Sequence, residues 1–185
     1  VVMQKIREAE RNSIMGEFED KAGELVVGLV SREDQNNYYI DLGRAHGILS
    51  KTEIIPGEKI VMGSSIKVYI SKIEQNPKGL VILLTRTHYG FVKRLLEHEI
   101  PELSEGIVLL YSVAREAGER SKIAVYSEND RVDAVGSCIG SKGDRINRIM
   151  KELNGEKIDI IRYDKDPKTF IMNALSPAKN INVVI

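Results

Sequence analysis

Gly136-Ser137-Cys138-Ile139-Gly140-Ser141-Lys142-Gly143-Asp144-Arg145-Ile146-Asn147-Arg148-Ile149-Met150-Lys151-Glu152-Leu153 is the stretch whose reading decides the fold. Ile146, Ile149, Met150 and Leu153 recur at i, i+3, i+4 and i+7, which makes one apolar helix face. Lys142, Arg145, Arg148 and Lys151 recur every third residue and make a second, positive stripe. Asp133 to Ile139 also reads as helix, so Gly140-Ser141-Lys142-Gly143 is expected to join two helices. Glycines let a backbone approach another chain closely and leave its amides exposed. Amides at a helix N-terminus favour phosphate through the macrodipole. With Lys142 inside it, the loop suits a nucleic-acid backbone clamped between two helices. A Gly-x-x-Gly alone is common, and a basic helix face is usually only solvated, so the weight comes from the surroundings.

Outward from that loop, Tyr89 to Glu99 carries Phe91-Val92 and Leu95-Leu96 at helical spacing, and Pro101 is expected to end the helix. Val108–Tyr111 and Ile123–Tyr126 read as strands on either side of a charged turn at Gly118. Ile158–Ile161 reads as a third strand. The order is α-β-β-α-α-β. A Gly-x-x-Gly between two helices, after two strands and before a third, is the arrangement of a KH domain, whose loop clamps about four nucleotides. A P-loop is excluded because no G-x-x-x-x-G-K-[ST] follows a strand. A Rossmann loop is excluded for want of G-x-G-x-x-G.

Residues 24–86 are strand and turn throughout. Leu25–Val30, Tyr38–Leu42, Ile48-Leu49, Ile66–Ile73 and Leu80–Leu84 are the strands. The turns are Glu33–Asn37, Gly43–Gly47, Pro56-Gly57 and Asn76–Gly79. The simplest architecture is a small antiparallel barrel of the OB type, whose face and loops bind oligonucleotides in other proteins. Tyr38 and Tyr39 are adjacent strand residues, so one points out where it can stack on a base while the other points in. Arg44, Lys51, Lys67 and Lys72 are candidate phosphate contacts, though each alone reads as an ordinary solvated charge. Residues 1–22 read as a charged helix, the tail of a longer one from a preceding domain, punctuated by Gly16 and Gly23. The chain as a whole is expected to be α+β and multidomain: a helical remnant over 1–22, the barrel over 23–86, an α/β KH domain of the type II order over 87–176, and the start of a second over 177–185.

Composition narrows the function. With 42% hydrophobic and 29% charged residues the chain is globular rather than disordered. No apolar run approaches the roughly 20 residues that cross a bilayer, and Val1 to Glu10 lacks the apolar core of a signal peptide, so a cytoplasmic location without membrane attachment is expected. The 27 basic and 27 acidic residues cancel, so nucleic acid would be held by local patches rather than by bulk charge. Aromatic residues are 5% with no Trp, too few for a broad stacking platform. Cys138 is the single cysteine, so no intrachain disulfide forms. His46, His88 and His98 are scattered and make neither a base for Cys138 nor a metal-ligand pattern. No metal site is expected.

The ordered motifs resemble the NusA family of bacterial transcription factors, in the part running from the end of its N-terminal domain through its S1 domain and first KH domain. The resemblance rests on Tyr38-Tyr39-Ile40-Asp41-Leu42-Gly43-Arg44 with Gly47-Ile48-Leu49, on Ile55-Pro56-Gly57-Glu58, on Thr85-Arg86-Thr87 with Phe91-Val92, and on Glu99-Ile100-Pro101-Glu102-Leu103. Its most specific stretch is Val113-Ala114-Arg115-Glu116-Ala117-Gly118-Glu119-Arg120-Ser121-Lys122-Ile123-Ala124-Val125-Tyr126-Ser127, followed by Val135–Gly140, Gly155–Ile161 and Asn173–Ala178. The resemblance implies a non-catalytic, monomeric factor, without catalytic residues or a cofactor, that binds single-stranded nascent RNA at RNA polymerase, alongside other Nus-type factors, and modulates pausing, termination and antitermination. It implies one continuous RNA surface over the S1 and KH domains. Mapped here, the RNA-binding residues are Gly140, Ser141, Lys142, Gly143, Arg145 and Arg148, with Tyr39 and Arg44 on the barrel. Asn36 and Ser50 stand where many S1 domains carry a further aromatic and a His, which leaves Tyr39 as the matching aromatic. The chain stops at Val183-Val184-Ile185, where the first strand of a second KH domain is expected, so it reads as shortened at both ends. Alternative readings are the RNA-binding appendage of a ribonuclease (such enzymes place KH before S1, and here the barrel comes first), a ribosome-associated RNA-binding protein, and a protein-interaction module using helix 1–22.

Overall fold

A computed structural model describes all 185 residues. The chain divides into two compact units, Val1–Phe91 and Val92–Ile185.

The first unit is a helix and a closed five-stranded barrel. Helix α1 (Val2–Phe18) leads into β1 (Leu25–Glu33), β2 (Asn37–Asp41), β3 (His46–Ser50), β4 (Ser65–Asn76) and β5 (Gly79–Thr85). Around the barrel the order is β1-β2-β3-β5-β4, and β4 closes on β1. Four of the pairings are antiparallel and one, β3 with β5, is parallel. The expected all-antiparallel pairing therefore has one exception, and parity requires it: an odd number of strands cannot alternate direction all the way round a closed ring. Bulges between Val30 and Arg32 and between Ile70 and Lys72 bend the long strands around the closure.

Period-two patterning fills the interior. Ile66, Val68 and Ile70 of β4 point in, with Val30, Ile40, Leu49, Ile82 and Leu84 from the other strands. Gly28 and Gly47 face the same interior. A Cβ at Gly28 would lie 2.3 Å from Ile40 Cγ2, and one at Gly47 2.3 Å from Leu84 Cδ1, so these two sites must stay empty for the larger side chains to fit. Phe18, from the last turn of α1, is buried in this same core with Ile14 packed against it, so the end of the helix is part of the barrel unit. At the far end Arg86 and Glu58 form a buried ion pair at 2.9 Å. Glu53 accepts hydrogen bonds from the Thr85 and Thr87 hydroxyls. Those bonds account for the Ile55–Glu58 and Thr85–Thr87 motifs as structural anchors.

The boundary between the units falls within helix α2 (Tyr89–Glu99). Pro101 does not merely end that helix; it occupies the first position of a short second one, α3 (Pro101–Ser104), where its fixed φ suits a helix start. Strands β6 (Leu109–Glu116) and β7 (Arg120–Tyr126) form a hairpin. Helices α4 (Ala134–Ile139) and α5 (Asp144–Glu152) cross over to β8 (Lys157–Arg162), which runs parallel to β7. Ile123, Ala124 and Val125 of the central strand are all buried, which means both of its faces are covered. Ile146, Ile149 and Leu153 bury the expected face of the second crossover helix, with Met150 half-buried beside them.

The hairpin turn is tied to the start of β8 by one carboxylate. Glu156 accepts from Arg115 Nε at 3.0 Å and Nη2 at 2.9 Å, from Ser121 Oγ at 2.6 Å and from the Gly118 amide at 3.0 Å. Both side chains of the ion pair are buried, at 1% and 0% exposure. Burial pushes the Glu156 carboxyl up, but the bonds from Arg115, Ser121 and Gly118 outweigh it and hold it below the usual range. Helix α6 (Pro167–Ala174) follows, with Asp166 capping it through the Thr169 amide and hydroxyl. Residues Val183–Ile185 form no strand, since no neighbouring edge pairs with them.

Candidate nucleic-acid interface

Asp133 starts α4 by accepting from the Gly136 amide at 3.0 Å. The helix ends at Gly140, whose φ of 79° and ψ of 176° belong to a region that only glycine enters freely. A side chain there would also collide: its Cβ would lie 2.4 Å from Asp144 Oδ1 and 2.7 Å from Arg145 Cγ. Ser141–Gly143 form a single tight turn, with Lys142 at φ 53° and Gly143 at φ 78°. Two bonds close it, Gly143 N–H to Gly140 O at 3.2 Å and Asp144 N–H to Ser141 O. They engage the amides at the far end of the turn and leave those of Ser141 and Lys142 outside its ladder. Ser141 and Lys142 are both exposed, at the N-terminal end of α5. Holding Lys142 in the left-handed region costs on the order of 1 kcal/mol, which marks the turn as a shape maintained by its surroundings.

The positive stripe beside the turn is not four equivalent cations. Lys142 and Lys151 are exposed and enter no ion pair. Arg148 is exposed at 62%, with Nη2 3.2 Å from Asp144 and Nη1 3.6 Å from Glu99, the kind of surface pairing worth about 0–1 kcal/mol. Arg145 is different. It is half-buried, and its Nη1 donates to Glu102 Oε2 and to the Ser137 carbonyl, both at 2.7 Å. Glu102 lies 43 residues earlier in the chain, so nothing in local spacing could have revealed the pairing. Its carboxyl is held below the usual range by its own backbone amide and by Arg145, against the opposing effect of burial.

On the barrel, Tyr39 lies outward and Tyr38 packs against the core, as strand alternation requires. The Arg32 guanidinium sits 4.0 Å from the Tyr39 ring centre, and the Tyr39 hydroxyl donates to Asp34 at 2.8 Å. That bond, with the Asn36 and Asn37 amides, lowers the Asp34 carboxyl below its usual value. Tyr39, Arg32, Ser31 and His46 line a shallow groove of about 340 Å³. Arg32 and His46 are members of this groove that the sequence did not single out; strand pairing of His46 with Asp41 brings one of them there. Arg44 is directed to α1, at 3.0 Å from Glu17 and 3.3 Å from Ser13 Oγ. Lys51 pairs with Glu33 and Lys72 with Glu74. Tyr39 and Arg44 belong to the first unit, and residues 140–148 to the second.

Cys138 is buried inside the second unit, and that burial, with Glu102 adding to it, pushes its thiol up to about 12. It is a packing residue. No three acidic, His or Cys side chains come together in a geometry that could hold a metal ion, and no helix is long and apolar enough to cross a membrane.

A closed OB-type barrel followed by a KH unit with an intact Gly-x-x-Gly turn defines a protein of the S1–KH class. Residues 86–163 match the family model described as a NusA-like first KH domain. The transcription termination/antitermination protein NusA of Halalkalibacterium halodurans is 48% identical over 99% of this chain, that of Bacillus subtilis 48% over all of it, and that of Thermus thermophilus 47% over 97%. Over nearly its whole length the chain is similar to proteins of the NusA family. It spans about half the length of these curated relatives, covering 48%, 50% and 46% of them.

Proposed function

We propose that the chain binds single-stranded RNA through the 140–143 turn and acts without catalysis, as part of a transcription factor that modulates pausing, termination and antitermination. The observation that carries this is the turn itself: strained, glycine-bounded, exposed, with Lys142 unpaired at the head of α5. The family supports the wider context, since the relatives bear the name of transcription termination/antitermination proteins. In that setting the RNA is the nascent transcript, and RNA polymerase and other Nus-type factors are partners of the longer protein. Arg148 and Lys151 extend the cationic edge beyond the turn. Tyr39, backed by Arg32, is the stacking position on the barrel; Arg44, tied to α1, is a weaker contributor.

Few unpaired cations face the ligand, so binding should weaken with salt along a shallow slope. On single strands each phosphate contact contributes about 0.7 to that slope. Fluorescence anisotropy with a labelled single-stranded RNA, from low to physiological salt, tests the reading. Absence of binding at low salt would reject it, and release of phosphate or nucleotides from the RNA would reject its non-catalytic part.

A further inference from the structure

We infer that Arg145 is a positioning residue that holds the 140–143 turn in shape and does not itself contact RNA phosphate. The inference rests on reading the turn as an RNA clamp. Arg145 lies at the start of α5, yet its side chain turns back across the turn. One nitrogen reaches two acceptors at 2.7 Å, the Glu102 carboxylate of α3 and the Ser137 carbonyl of α4. The Ser137 carbonyl is one of the last of its helix, where carbonyls lack intrahelical partners and the helix dipole is negative. A cation placed there satisfies the orphan carbonyl and the dipole together, and Glu102 holds the cation in place with a charge-assisted bond. Three segments meet at this one guanidinium: α3, the end of α4 and the start of α5.

The stem of the same side chain runs under Gly140. Arg145 Cγ and Cβ lie 2.7 and 3.0 Å from where a Cβ on Gly140 would stand. The glycine is thus required by the arginine as well as by its own backbone angles. Electrostatics agree. Arg145 and Glu102 are 26% and 29% exposed, so much of the guanidinium charge is met inside the protein. Lys142 and Lys151 have no such partner and remain the cations available to phosphate.

Glu102→Gln separates the two roles by sign. If Arg145 bound phosphate, freeing it from Glu102 would tighten RNA binding. As a brace, its loss of a charged anchor loosens the turn, and affinity falls by about fivefold, the effect of one hydrogen bond of ordinary net strength. Arg145→Gln should weaken binding in parallel and leave the salt slope unchanged, whereas loss of a phosphate contact would lower it by about 0.7. Amide hydrogen exchange on the RNA-free 185-residue chain reads the brace directly. Exchange at Gly143 and Asp144, whose amides close the turn, should accelerate in both variants while Ile123 and Val125 stay protected. Tighter RNA binding by Glu102→Gln, a reduced salt slope in Arg145→Gln, or unchanged exchange at Gly143 and Asp144 would overturn the inference. A wild-type chain that binds no RNA would instead reject the clamp reading, and exchange would still decide the brace.

Discussion

Glu156→Gln changes one atom and should unfold the second unit well before the first. The carboxylate lies at 0% exposure, against an Arg115 that is itself 1% exposed, and accepts from Arg115, Ser121 and Gly118. The amide keeps the volume but removes the charge and replaces an acceptor with a donor, leaving a buried guanidinium uncompensated. Breaking a buried pair in this way costs about 3–5 kcal/mol, a large share of the roughly 5–15 kcal/mol that holds a domain together. For a unit of this size each kcal/mol moves Tm by about 4–8 °C, so the transition should fall by about 12 °C or more in differential scanning calorimetry. The pH dependence should change with it. Because the folded carboxyl is held below its ordinary value of 4.5, its stabilisation is complete above that value and is lost as pH falls through the folded one. Glu156→Gln should therefore flatten the acid limb of the stability curve. The exposed pair Arg94–Glu97, at 43% and 28% exposure, is the control, and Glu97→Gln should shift Tm by little. A Glu156→Gln shift as small as that control would refute the account of this cluster.

Gly140→Ala should destabilise the second unit by about 1–3 kcal/mol in denaturant titration and weaken RNA binding more than an equally destabilising core change would, because it also displaces Arg145. Tyr39→Phe removes the bond that contributes most to lowering the Asp34 carboxyl, so an NMR titration should show that pKa rise toward 3.8 while the barrel stays folded. Cys138 should resist thiol reagents at pH 8 in the native chain and react fully in denaturant, since burial holds the thiol near 12.

Local periodicity and turn chemistry made most of the fold legible. The Ile146–Leu153 face, the alternation in β4 and the Gly118 hairpin are each set by neighbouring residues, and each appears where its pattern put it. Two short helices were missed for a common reason, that their signals are caps rather than periods. Pro101 reads as a stop when only the preceding helix is considered, although it begins the next one. Asp166-Pro167 with Thr169 marks the start of α6 by side-chain capping, too short a signal to stand out without the contacts. The candidate site was legible as a motif and not as a mechanism. Spacing put Lys142, Arg145, Arg148 and Lys151 on one stripe, but spacing carries no information about Glu102 or Ser137, to which Arg145 donates. The direction of Arg44 toward Glu17 was hidden in the same way, by a partner on a distant element.

The 140–143 turn is the proposed RNA clamp. Its most direct test is the affinity of the Ser141→Asp, Lys142→Asp double variant for a short single-stranded RNA, measured beside the wild type at low salt. Both side chains are exposed, so the fold should be intact by circular dichroism. Losing one charge-assisted contact and gaining two repulsive charges should lower affinity by at least about tenfold. A folded double variant that binds RNA as tightly as the wild type would contradict the account.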